Sequence, residues 1–200
     1  MICAFLLLLF PVCFYLLFQK LFCFPRGVTD VIAMVRRVDE REFDDLLNKP
    51  KEDILRANSS AIGFKQEQPA RAWLLFEYLR RMGFNALVIL CWAYAEQEKL
   101  ERPGMSKDEK RAGMINEIVD AGTACRLYVL FALSKLSWRM LLDGLRIAPV
   151  RTITDLRLAA EIDGLETYRR FANPAAALSS EHGADAHRRL VALLRGSDFV

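Results

Sequence analysis

Histidine is nearly absent from this 200-residue chain: His182 and His187 are the whole supply for imidazole acid–base or metal chemistry. Their spacing is poor for a shared ion. On a helix His182 shares a face with Asp185, but His187 lies five residues on, about 140° round the axis. No Glu-x-x-His pair occurs, which excludes the di-iron pattern of helical bundles. Cysteine is scattered at positions 3, 13, 23, 91 and 125 with no Cys-x-x-Cys, so neither a disulfide framework nor a zinc site is expected. An excess of one charge sign is also missing. The 28 Lys and Arg stand against 25 Asp and Glu, a net charge of +3, too balanced for nucleic-acid binding by electrostatics alone. There is no nucleotide-binding or catalytic motif, no internal repeat, no low-complexity tract and no alternating strand pattern. The chain is therefore expected to be all-α and to take no cofactor, no metal and no nucleic acid.

What is present begins with Ile2 to Phe18, seventeen residues without a formal charge. As a helix this run is about 26 Å long, close to a hydrocarbon thickness of about 30 Å, and Gln19 to Phe24 extend it. Pro11 is tolerable as a kink within a membrane span. A cleaved signal peptide is the rival reading. Against it, no basic residue precedes the run and no small-x-small site follows it. Lys20, Arg26, Arg36 and Arg37 all come after the run, and such asymmetry holds the basic side in the cytoplasm. The expectation is a single-pass anchor over residues 1–24 with a cytoplasmic domain behind it.

That domain reads as helices separated by Pro, Gly and Asn. Thr29 opens a helix expected to reach Asn48, and Pro50 ends it. A short piece follows over Lys51 to Ala57, then a loop through Gly63. Pro69 suits the first turn of a long helix to Leu100, stopped by Arg102-Pro103-Gly104. Ser106 and Glu109 have capping-box spacing for a second long helix to Ile147. A short turn between two long helices predicts an antiparallel hairpin. Thr152 and Asp155 repeat the capping spacing for a helix to Phe171, Asn173-Pro174 restarts the chain, and a last helix covers Asp185 to Leu194. The predicted architecture is a transmembrane helix followed by a helical bundle around that hairpin: residues 1–24 the anchor, 25–68 juxtamembrane helices and loop, 69–147 the hairpin, and 148–200 C-terminal helices packing on it.

Both long helices contain runs apolar on every side, Phe84 to Ala95 and Leu127 to Leu133. Each is too short to span a bilayer alone, so both are expected to be buried at the bundle centre, with re-entrant or interfacial contact with the membrane as the alternative. Asn85 and Arg126 interrupt or border these runs, and Glu117 and Asp120 share a face at i, i+3 spacing. If a ligand lies between the long helices, Asn85, Glu117, Asp120 and Arg126 are the residues expected to bind it. Leu156 to Phe171 resembles a helix-turn-helix in the spacing of Ala160 and Gly164 and in its trailing Arg169-Arg170. The stretch is too short for two helices and a turn, and Asp163 stands where that motif needs an apolar residue. With no chemistry visible, the functional expectation is a membrane-anchored interaction or assembly module whose partners are membrane lipid and a protein or a second copy. The alternative is an enzyme or carrier for an apolar membrane-derived ligand.

Overall fold

A computed structural model describes residues 25, 27–101, 108–144 and 162–196. Every element among them is a helix: α1 (Val28–Met34), α2 (Glu40–Leu47), α3 (Lys49–Asn58), α4 (Ala61–Leu100), α5 (Glu109–Gly144), α6 (Ile162–Ser180) and α7 (Ala184–Arg195). The anchor at residues 1–24, the Ser106 cap and the Thr152/Asp155 cap all lie outside the described residues.

The hairpin of α4 and α5 is the frame of the bundle. Gly83 lies against Val129 and Leu90 against Gly122, so positions that rise along one helix fall along the other and the pair is antiparallel. Close approach here needs glycine. A Cβ on Gly83 would sit 2.9 Å from Val129 Cγ1, and one on Gly122 would sit 3.0 Å from Leu90 Cγ and Cδ2. Helix α5 also packs against α6, and α6 against α7, while α1, α2 and α3 cover α4. Trp92, Tyr168, Phe43, Phe171, Leu75 and Met82 are the large side chains of the core.

Local chemistry explains most boundaries. Asp39 Oδ1 accepts from the backbone N of Arg41 and Glu42 to open α2, and Asn48 Oδ1 accepts from Lys51 N to open α3. Pro50 is thus not a stop. It sits in the first turn of α3, where a missing N–H costs nothing. Ser60 Oγ accepts from Gly63 N, so α4 begins eight residues before Pro69, which lies within the helix on its exposed side. At α5 the observed cap is Asp108, whose Oδ1 accepts from Arg111 N at 3.2 Å.

Two further expected boundaries are corrected. The helix expected from Thr29 to Asn48 is broken at residues 35–39, although its apolar positions Val31, Val35, Val38, Phe43 and Leu46 are all buried. The extended segment satisfies its backbone on other elements: Val38 N donates to Leu193 O at 2.9 Å, and Arg36 bonds to Asn85. Conversely, α6 continues through Asn173-Pro174 to Ser180 with no restart. Helix α7 ends at Gly196 with φ +64°, and a Cβ there would lie 2.7 Å from Asp39 Cα.

Candidate functional site

The four ligand-contact residues expected from the sequence are not brought together. Asn85 is completely buried, about 160° round α4 from Leu87, on the side facing the 35–39 segment and α6. Its Oδ1 accepts from Arg36 N at 2.8 Å, and its Nδ2 donates to Arg36 O at 2.7 Å and to the Tyr168 hydroxyl at 3.1 Å. Both amide donors and the acceptor are used within the protein, so Asn85 fastens the 35–39 segment to the bundle. Burial pushes the pKa of Tyr168 above the usual phenol range, which keeps the hydroxyl neutral beside the amide. Glu117 and Asp120 stand exposed on the outer face of α5. Arg126 borders a cavity.

That cavity is a groove of about 600 Å³ between α4 and α5, lined by Leu87, Leu90, Cys91 and Tyr94 from one helix and Arg126, Leu127 and Leu130 from the other. The lining is mainly apolar, with Glu98, Thr123 and Arg126 as its polar members. Cys91 contributes a half-buried thiol, while Cys125, on the opposite side of α5, is buried and its thiol is pushed up to about 12 by desolvation.

A second polar centre, not expected from the sequence, closes the end of the hairpin. Glu96 has no exposed surface, and its carboxylate accepts from Trp92 Nε1 at 3.2 Å, from Lys99 Nζ at 2.6 Å and from Arg111. Burial alone would raise its pKa, but Lys99 and Arg111 outweigh that penalty and hold the carboxyl below its ordinary value. Arg111 Nε also lies 3.5 Å from Glu181, at the turn between α6 and α7. One buried carboxylate therefore ties together α4, the first turn of α5 and the last pair of helices. Its signal was the run Trp92, Glu96, Lys99 at i, i+4 and i+7, but Arg111 belongs to the next helix.

The histidines join this region as packing groups. His182 stands beside Trp92 with ring centroids 6.0 Å apart, and His187 Nδ1 is 2.7 Å from Ala176 O. Among the described residues no group of three His, Cys, Asp or Glu side chains could hold a metal ion.

The two apolar runs have different fates. In Phe84 to Ala95, residues 85–90, Trp92 and Ala93 are buried, as expected of a central helix. In Leu127 to Leu133 only Val129 and Ala132 are buried, while Leu127 and Phe131 are 65 % and 63 % exposed. Burial of both runs was expected, and for the second it is corrected: α5 has one flank on α4 and α6, and its other flank is uncovered among the described residues. Along that outer line the residues are polar at Asn116, Glu117, Asp120 and Thr123, then apolar at Leu127, Phe131, Trp138 and Leu141. Trp73 and Tyr94 add exposed aromatic surface on α4, Trp73 stacking on Phe76 at 5.2 Å. No helix among the described residues is long and apolar enough to cross a membrane.

No family model, no curated protein and no solved structure matches this chain.

Proposed function

We propose that this protein is a membrane-anchored assembly module that uses the outer face of the α4–α5 hairpin to bind protein at the cytoplasmic surface. The single observation that carries the reading is the exposed line Leu127, Phe131, Trp138 and Leu141 on an otherwise well-packed bundle. An exposed apolar surface of several hundred Å² is uncommon on a monomeric soluble domain and is a usual mark of an interaction site. Support for the anchor comes from the uncharged Ile2 to Phe18 run, and for the cytoplasmic side from the cations that follow it. The polar centres at Asn85 and Glu96 are consumed by internal contacts, so they support stability and not turnover.

A photo-crosslinking amino acid at position 131 of the full chain, activated in native membranes, tests the reading. A discrete protein adduct is expected. Adducts to lipid alone would overturn it in favour of a second reading, an enzyme or carrier that holds an apolar membrane-derived ligand in the groove beside Arg126. The observation in favour of that alternative is the groove's mainly apolar lining and its size, within the range of small-molecule sites.

A further inference from the structure

We infer that the occupant of the α5 outer face is a second copy of this chain, whose own α5 lies antiparallel across it about a two-fold axis at Ser134. The inference rests on the assembly reading above and names the partner. Its first support is spacing. Leu127, Phe131, Ser134, Trp138 and Leu141 follow one another at intervals of four, three, four and three residues, all exposed. That is the period of a seam between two helices, and it is narrow, which suits another helix better than a flat surface.

The second support is the residue at the centre. Ser134 is small enough for the backbones to approach, and its hydroxyl already donates to Leu130 O at 2.8 Å, so contact would strand no polar group. Centred there, a two-fold places Leu127 opposite Leu141 and brings Phe131 within one residue's rise, about 1.5 Å, of Trp138, each pair made twice, as an isologous interface requires.

Charge selects the direction. In a parallel pair the acidic outer positions Glu117 and Asp120 would meet their own copies, like charge against like. In the antiparallel pair neither meets its own copy. Area is consistent as well. At exposures of 65 %, 63 %, 47 % and 49 % for Leu127, Phe131, Trp138 and Leu141, the seam presents on the order of 450 Å² per copy, over half of the roughly 800 Å² hidden on each side of a standard interface. The half-exposed Leu130, Leu133 and Lys135 flank the seam and would add to it.

The test uses the full chain in mild detergent. Ser134→Cys should give a disulfide-linked dimer under mild oxidation, well above the wild-type background from the native cysteines. Asn116→Cys, exposed on the polar half of the same helix, should not. The double variant F131E/W138E should retain the far-UV helical signal, since both side chains are exposed, and should weaken the dimer seen by light scattering at least about tenfold, as loss of central aromatic anchors does. A monomeric wild type, or Ser134→Cys crosslinking no better than Asn116→Cys, overturns the inference. A dimer that survives F131E/W138E also overturns it. A protein adduct at position 131 with a mass other than the dimer's would sink the second copy while leaving the assembly reading intact.

Discussion

Asn85 holds the Arg36 peptide from both ends, accepting from its N–H at 2.8 Å and donating to its C=O at 2.7 Å across a separation of 49 residues. A side-chain amide stands in for a neighbouring strand, and this holds an extended segment on the bundle with Val35 and Val38 buried beneath it. Asn85→Ala would strand the Arg36 peptide and the Tyr168 hydroxyl together and should cost about 2 to 4 kcal/mol in chemical denaturation. Asn85→Asp should also destabilise at neutral pH, because a carboxylate cannot donate to Arg36 O. A loss below about 0.5 kcal/mol in both variants would show that the clamp contributes little.

At Gly83 two effects oppose each other. Alanine gains about 1 kcal/mol of helix propensity, but its Cβ would lie 2.9 Å from Val129 Cγ1 on a stiff, β-branched side chain. Overpacking of this kind costs about 1 to 3 kcal/mol, so Gly83→Ala should be net destabilising. Adding Val129→Ala should recover part of the loss, seen as a favourable coupling in a double-mutant cycle by thermal unfolding. A stabilising Gly83→Ala would mean the helices separate easily.

The Glu96 carboxyl has its pKa lowered in the folded state from an ordinary value of 4.5, so the folded state favours its charged form. The corresponding stability is fully present above about pH 4.5 and is lost as pH falls below it toward the folded pKa. Glu96→Gln should therefore be destabilised at pH 7, and the gap between variant and wild type should narrow progressively on acidification below pH 4.5. Urea midpoints measured from pH 7 down to pH 3 decide it. A gap that stays constant would mean that Lys99 and Arg111 confer no preference for the charged form.

Gln68 is fully buried, and among the described residues neither its amide oxygen nor its amide nitrogen has a hydrogen-bond partner. Desolvating an amide without compensation costs about 1 to 3 kcal/mol, while methionine matches the side chain in length without the polar atoms. Gln68→Met should raise the melting temperature. A fall would show that the amide is in fact satisfied in solution.

The uncharged run from Ile2 to Phe24, interrupted only by Lys20, should keep the full chain in the pellet after alkaline carbonate extraction, with an intact mass that includes residues 1–24. Recovery in the supernatant, or a mature amino terminus near residue 25, would remove the anchor from the proposed function.

The sequence by itself determined the helical class and the long hairpin, because both follow from local chemistry: turn residues between the long helices and apolar periods within them. It also marked Phe84 to Ala95 as central, since a twelve-residue run without a polar face has few other places to go. It could not separate that run from Leu127 to Leu133. Composition records that a segment is apolar, whereas the neighbours available decide which flank is covered, and among the described residues α4 and α6 cover one flank of α5. The break at residues 35–39 was hidden for the same reason: the buried valines fit a helical period, but the groups that hold the backbone extended, Asn85 and Leu193 O, lie far along the chain. Glu96 lies in helical register with Trp92 and Lys99, but only the tertiary structure brought Arg111 to it and made it the buried knot of the bundle. Partners separated by tens of residues leave no periodic trace, so the clamp, the knot and the uncovered seam were decided by packing alone.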